Sequence, residues 1–498
     1  MLNWIEERTG GISALKNFLT EDVPGGASYW YVFGSATLIA LVIQIITGIF
    51  LTFYYAPSAA TAWESTKFIY DHVAGGAFVL SLHFWGASAM IALMTLHLLQ
   101  VMIWGAYKKP REIMWVIGVT LFLLTLVLGL TGYLLPWDLN AYSASAVSIK
   151  IAGDIPIVGP AQANFLQDGT QMGTLTINRF FGIHVWLIPI ALLGLVGLHL
   201  AVFRHNGAAG PPADATPRKF GRFFPDQIFM DTIASFVTFA VVVILAMAMP
   251  APLLSKADPT NSVFVPSPAW YFFPLYGLLN VLPGNMFSIG NFPVSGELIG
   301  TAVVPAIFVA VLLFLPWIDR NRKRALNQRP YFLFFTVLSV AAVLGFGWAG
   351  ASSVQQHIAA SGGAGQTPIR GYGAPPPGAQ EAAATSAGAA GSSPVALGQA
   401  VYSQNCTSCH SANGGGVPNL APPLDGNPFV AGDPAKVISV VENGLHGQAV
   451  MGKSYATQMP AWKGQLTPSQ IADVISYIRG SWSNHAGAVT EAQVKAVK

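Results

Sequence analysis

Charge is what this chain has least of. Only 9% of its 498 residues are Asp, Glu, Lys or Arg, against about 25% in ordinary soluble domains. So few charges cannot cover a soluble surface, and with 53% hydrophobic residues the chain reads as a polytopic membrane protein. The formal net charge of +3 gives no reason to expect a nucleic-acid partner. Cysteine is almost absent: Cys406 and Cys409 are the whole supply and belong to one motif. That excludes a disulfide framework and any four-cysteine metal cluster. A short cleavable signal peptide is not apparent either, since the stretch from Trp4 to Val23 mixes polar and apolar residues. The first long apolar helix is then expected to act as the insertion signal.

What the chain has in quantity is apolar runs long enough to span a bilayer. They lie at about 30–54, 77–104, 113–135, 180–203, 229–250, 298–318 and 331–350. Basic residues set the orientation. With the N-terminus inside, fourteen Lys and Arg of the first 350 residues fall in inner segments, among them Lys108, Arg111, Arg204, Arg324 and Arg329. Only Lys67, Lys150, Arg179 and Lys256 fall outside. Seven crossings leave the C-terminal region on the outer side.

Two of these runs carry paired histidines. His83 and His97 are 14 residues apart, and His184 and His199 are 15 apart. At about 100° and 1.5 Å per residue, each pair lies on roughly one helix face, near opposite ends of a span. Both runs cross from outside to inside, so His83 faces His184 near the outer surface and His97 faces His199 near the inner one. Neutral imidazole is a strong ligand to haem iron, and ionisable groups inside lipid mark function by default. Four unrelated core histidines are the plain alternative, but the agreement of both spacings and both apolar settings speaks against it. A macrocycle also needs backbone that comes close, which glycine allows. Gly34 and Gly48 on the first run and Gly118 and Gly132 on the third repeat the 14-residue spacing. The pattern describes a four-helix bundle around two haems.

The segment 138–178 is too polar to cross and is expected along the outer surface. The segment 251–297, also outer, is rich in Pro and aromatics from Pro266 to Pro274. It is an interfacial aromatic anchor or, more sharply, the lid of a quinone pocket. From 351 to 394 the composition shifts to Ala, Gly, Ser, Pro and Gln, a flexible linker with an end-to-end distance of roughly 35–40 Å. Residues 406–410 then read Cys-Thr-Ser-Cys-His, the attachment signature of a covalent c-type haem. Cys406 and Cys409 would form the thioethers and His410 the proximal bond. Methionine is the usual second ligand. Met459, beside Pro460 and ahead of a helical run from Pro468 to Trp482, is favoured over Met451.

These residues together resemble cytochrome b of the Rieske/cytochrome b quinol oxidoreductases, fused to a monohaem cytochrome c. The resemblance covers nearly the whole chain. It is closest to the chloroplast-type branch through Thr52-Phe53-Tyr54-Tyr55, Lys108-Lys109-Pro110-Arg111-Glu112, the run from Gly129 to Trp137 and Asn178-Arg179-Phe180-Phe181. The implied fold is all-α: seven transmembrane helices with a four-helix dihaem bundle, plus a small helical cytochrome c domain. The implied divisions are 1–210 for the dihaem domain, 211–350 for the C-terminal cytochrome b domain, 351–394 for the linker and 395–498 for cytochrome c.

The resemblance implies the core subunit of a respiratory quinol:cytochrome c oxidoreductase in a bacterial cytoplasmic membrane, with the c domain on the periplasmic side. Quinol would be oxidised near the outer face. One electron would go to a Rieske iron–sulfur protein and the other through two non-covalent b haems to a quinone near the inner face. The partners would be the Rieske protein, the quinone pool, a downstream cytochrome c or terminal oxidase, and a second copy in a homodimer. Arg204, His205 and Asp231 resemble inner quinone-site positions, although positive-inside anchoring and a helix N-terminal carboxylate explain them as well. Arg179 resembles a partner of the outer haem propionates.

Three positions depart from the family. Val32 stands where the chloroplast branch tethers an extra haem through cysteine, so no third membrane haem is expected. Phe84 follows His83 where many relatives have arginine. The Pro-Glu-Trp-Tyr motif reads Pro268-Ala269-Trp270-Tyr271, without its carboxylate. Asp258 or Glu297 is expected to substitute, with Asp138 the further candidate. The missing glutamate also keeps open a different class, a non-catalytic haem-bearing anchor that only conducts electrons.

Overall fold

The computed structural model describes the chain except residues 1, 154, 156–157, 168–171, 213–219, 259–263, 283, 290–291, 362, 364, 375–397, 400, 403–405, 407–409, 412–413, 417–420, 446–458, 464–465 and 498. Two compact units result, 1–374 and 375–498.

In the first unit, seven helices among the described residues are long and apolar enough to cross a membrane. They run Phe33–Thr52, Gly76–Ile103, Glu112–Tyr133, Thr174–Asn206, Phe223–Ala248, Gly296–Leu313 and Pro330–Ala360. Long apolar stretches without charge must satisfy their own backbone in lipid, which leaves the helix as the available form. The first span packs along the second, the third against the fourth, and the fifth across the first two. Ala40, Leu41, Met90, Ile117, Leu121 and Leu192 meet in a buried cluster. All but Ile117, which directly precedes Gly118, lie between the two site residues of their own span, so an apolar plug separates the two histidine levels.

The fourth span is not a uniform α-helix. Ile183–Leu187, which includes His184, forms a wide π-helical turn, and Pro189 follows in the first turn of the regular helix. Proline has no N–H to give back to the preceding turn, and a π-turn takes up one residue more than an α-turn. The 15-residue interval of this span therefore fits the same two-level frame as the 14-residue interval of the second. The sixth span repeats the device, with a π-turn at Ile299–Val303 ahead of Pro305.

At the end of the bundle expected to face outward, that of His83 and His184 and here termed the outer end, Leu139–Gly153 and Gly159–Leu166 are helices of the connection between spans three and four. The loop after span five carries the helix Phe273–Val281 and a hairpin of Asn285–Ile289 with Phe292–Ser295. The region after 350 differs from its composition. The seventh helix continues to Ala360, and the following residues are held by backbone bonds. Leu253 N–H donates to Arg370 O at 3.0 Å, Ile369 N–H to Leu253 O at 2.8 Å and Tyr372 N–H to Pro250 O at 2.8 Å. Residues 351–374, which composition assigns to the linker, thus belong to the membrane unit. Small polar residues look like linker in a sequence because the backbone pairing that fixes them is invisible there.

At the inner end, Asp22–Pro24 pairs antiparallel with Phe220–Arg222, closing the N-terminal segment against the entry to span five. The second unit is helical, with Pro434–Asn443, Pro468–Gly480 and Glu491–Ala496 around a core of Tyr402, Ile438, Val441, Ile471 and Ile475. Thr467 and Gln470 cap its longest helix reciprocally, at 3.2 Å and 2.9 Å, as a capping box should.

Candidate haem and quinone sites

The bundle brings the four histidines together in two levels. At the outer level the rings of His83 and His184 lie with centroids 6.2 Å apart. Two imidazoles bound in line to one metal through bonds of about 2.0 Å would have ring centres roughly 6 Å apart. Thr47 Oγ1 donates to Ile43 O at 2.6 Å and lies 2.9 Å from His83 Nδ1. Thr131 Oγ1 donates to Val127 O at 2.9 Å and lies 3.1 Å from His184 Nδ1. Each hydroxyl has spent its proton on a carbonyl, so it accepts from Nδ1–H. That fixes the tautomer and leaves each Nε2 lone pair free for a metal.

The glycines face the same rings. A Cβ at Gly132 would fall 2.5 Å from His184 Cε1, and one at Gly48 3.2 Å from His83 Cε1. At the inner level, Gly118 stands 3.4 Å from His199 and Gly34 3.6 Å from His97 by the same measure. His97 Nδ1 is buried without a hydrogen-bond partner among the described residues. Four glycines cradling four imidazoles, with the outer tautomers fixed, suit a flat macrocycle at each level.

The outer loop is read by side chains of the bundle. Trp270 Nε1–H donates to Ser88 Oγ on the second span at 3.2 Å. Tyr271 presses its hydroxyl onto the third span, 2.8 Å from where Gly129 would carry a Cβ. Ala269, half-buried and extended, supplies no polar side chain between them. The three candidate carboxylates have different settings. Asp138 is buried; its oxygens accept from Ala141 N–H at 2.9 Å and Leu254 N–H at 3.0 Å. Burial raises its pKa above the usual carboxylate range despite those bonds. Its geometry is that of a cap on Leu139–Gly153 that also holds the loop. Glu297 is ion-paired with Lys150 at the surface. Asp258 is half-buried two residues after Lys256, whose backbone bridges to Asp138. Arg179 is half-buried, bonded to Gln167 O and 5.3 Å from the centre of the Phe165 ring.

At the inner end, Arg204 is ion-paired with Glu21 and stacks at 3.8 Å over Phe18. His205 beside it is exposed. Asp231 accepts from Gln227 Nε2 at 2.9 Å and lies beside Ser35, the neighbour of Gly34. Sequence reasoning missed Glu21 and Phe18, which reach Arg204 from a distant segment and which no local pattern marks, and Gln227, one helical turn before Asp231.

In the second unit, His410 is buried and its Nδ1 lies 2.9 Å from Pro422 O. The carbonyl can only accept, so Nδ1 carries the proton and Nε2 is free. Burial lowers the pKa of this imidazole, keeping it neutral. Met459 and Cys406 pack against the same core, and Met459 pairs with Leu445 through two backbone bonds of 3.1 Å. Cys409 and Met451 lie outside the described residues.

Known proteins resemble this chain. Residues 18–207 match the family Cytochrome b/b6/petB, 256–367 match Cytochrome b(C-terminal)/b6/petD, and 395–482 match Cytochrome c. The cytochrome b of Marchantia polymorpha is 32% identical over 350 residues, 69% of this chain and 83% of that one. The menaquinol:cytochrome c reductase cytochrome b subunit of Geobacillus thermodenitrificans is 42% identical over 219 residues, covering 42% of this chain and 98% of that one. A solved structure titled "Hyperthermophilic respiratory Complex III" superposes with a TM-score of 0.60 at 25% identity, over 72% of this chain and 97% of that chain. With seven apolar helices, a bundle built around paired histidines and a separate C-terminal unit, this chain belongs to the cytochrome b family and carries a cytochrome c domain at its C-terminus.

Proposed function

We propose that this chain is the cytochrome b/c core subunit of a quinol:cytochrome c oxidoreductase. The observation that carries the reading is the two-level set of four imidazoles, each against a glycine, joined in one chain to the Pro268–Tyr271 loop. His83 and His184 would hold one b haem, His97 and His199 a second, and Cys406, Cys409, His410 and Met459 one c haem. When bound, these groups supply one-electron carriers at two membrane depths and on a separate C-terminal unit.

The protein's own part is to bind, orient and manage protons. Pro268, Trp270 and Tyr271 would wall the outer quinol pocket, and Arg204, His205 and Asp231 the inner quinone site. Oxidising a quinol releases two protons, and positioned carboxylates commonly assist such transfer. With alanine at 269, the exit falls to groups further out, Asp258 or Glu297. Asp138, both of whose oxygens are filled by backbone N–H, serves as a structural cap. Arg179 would serve the outer haem propionates. A Rieske iron–sulfur protein, the quinone pool, a downstream cytochrome c or terminal oxidase, and a second copy of the chain are the proposed partners. The membrane would be the bacterial cytoplasmic membrane, with the c domain periplasmic and proton release outside.

Ala269 favours the second reading, a non-catalytic conducting anchor. The purified complex decides between them: it should reduce cytochrome c with added quinol and contain two non-covalent b haems and one covalent c haem. Haem content of that kind without quinol oxidation would establish the anchor. Amide replacements at Asp258 and Glu297 that leave turnover unchanged would remove their proton role.

A further inference from the structure

The Pro268–Tyr271 segment is preceded by residues 264–267 in no regular secondary structure, so the backbone leading into it cannot define its own path. Two side-chain amides from distant elements do so instead. Asn140, on the helix Leu139–Gly153, grips Ser267 at both ends: it accepts from Ser267 N–H at 2.8 Å and donates to Ser267 O at 3.0 Å. Tyr133 adds a donation to the same carbonyl at 2.7 Å. Gln366, which follows the seventh span, donates through Nε2 to Val265 O at 2.7 Å.

Gln366 is itself held. The strap around it pairs with Pro250 and Leu253, and Arg370 donates to Asp71 Oδ1 and Oδ2 at 2.5 Å and 3.0 Å. The three elements meet at Gly365, which has φ +72°; a Cβ there would lie 3.0 Å from Leu139 and 3.1 Å from Phe264. The loop is thus clamped one residue ahead of Pro268 by an amide that reads backbone in both directions, and three residues ahead by an anchored strap. An amide that satisfies an otherwise irregular backbone fixes its path, because buried N–H and C=O groups must be paired.

We propose that Asn140 and Gln366 are positioning residues of the outer quinol site, setting where Pro268, Trp270 and Tyr271 stand. This rests on the reading of that loop as the quinol pocket. The strap belongs to the segment beyond the seventh span, so the outer chemistry depends on residues that follow the last crossing. Displacement of reacting groups by about an ångström can cost up to about a hundredfold in rate.

The test uses the complete purified complex with Asn140→Leu, Gln366→Leu and Gln366→Glu. The last keeps the side chain's size but turns an acceptor toward Val265 O. A short-tailed quinol and a soluble cytochrome c serve as probes. All three variants should keep their haem spectra. Their kcat/KM for the quinol should fall roughly tenfold or more, while KM for cytochrome c stays unchanged. Hydrogen exchange at 264–271 in the full complex should quicken, a readout that needs no turnover. The proposal is overturned if Gln366→Glu keeps quinol kcat/KM within about twofold of wild type, if KM for cytochrome c worsens equally, or if exchange in the loop does not change. Should Asn140→Leu fail to assemble its haems, Gln366→Glu decides alone. A wild-type complex that oxidises no quinol would instead defeat the functional reading, with the exchange result still judging the clamp.

Discussion

The outer and inner ends of the bundle hold chemically identical pairs of histidines by different means. At the outer level both imidazoles are oriented from behind by threonine hydroxyls, and the facing glycines are close, at 2.5 Å and 3.2 Å to a notional Cβ. At the inner level the corresponding distances are 3.4 Å and 3.6 Å, and His97 Nδ1 has no partner among the described residues. The outer pair is preorganised by the protein; at the inner pair His97, at least, has its orientation left to its ligand. Preorganisation sits at the end where the aromatic loop is pinned.

The comparison breaks most severely if a histidine is removed. His97→Ala or His199→Ala should lose one of two non-covalent haems and leave the covalent one, as read from a pyridine haemochrome spectrum. Loss of both levels together would mean that the apolar plug does not separate them. The next largest effect is expected from glycine. Gly132→Ala should displace His184 and disturb or abolish the outer haem, whereas Gly34→Ala should be tolerated. Equal spectra from the two variants would erase the asymmetry.

A smaller effect is expected from the hydroxyls. Thr47→Val and Thr131→Val should retain both haems but shift the midpoint potential of the outer one alone, because second-shell partners tune a bound metal. A redox titration showing the inner haem shifted instead would contradict the tautomer argument.

The smallest concerns the strap over the outer end. Arg370 first, and then Lys67, hold Asp71 down at about 2, against partial burial. A depressed folded-state pKa contributes stability above the ordinary carboxylate range, and that stability is lost as pH falls through the folded value. The strap should therefore loosen between about pH 4 and pH 2, by the order of 1 kcal/mol or less for so exposed a pair. Hydrogen exchange at 366–374 checks this; Asp71→Asn should reproduce the acid state at neutral pH.

Much of the architecture was written in one dimension. Apolar runs fix seven spans because lipid offers the backbone no partner, and the histidine and glycine spacings fix two levels because a helix repeats by rotation and rise. As contacts, Arg111 and Arg329 were not legible in the sequence, where they counted toward orientation. In the structure both also act as helix caps. Arg111 donates to Asn206 O and Gly207 O at the end of span four, at 3.1 Å and 3.2 Å. Arg329 donates to Ile103 O at the end of span two at 2.7 Å, and with Lys108 and Tyr107 it surrounds Asp319. The terminal carbonyls of a helix have no intrahelical donor, and a guanidinium reaching them from another segment satisfies both that need and the dipole.

The sequence by itself determined the family, the seven crossings, the two histidine levels and the covalent haem motif, since each rests on a local period or a contiguous string. Tertiary structure decided the rest. The π-turn ahead of Pro189 reconciles an interval of 15 with one of 14. Asn140 and Gln366 converge on one irregular loop from positions far apart in the chain. A segment composed like a linker becomes a strap. These depend on which backbone groups meet across the fold, and a single amide or carbonyl carries no sign of its future partner.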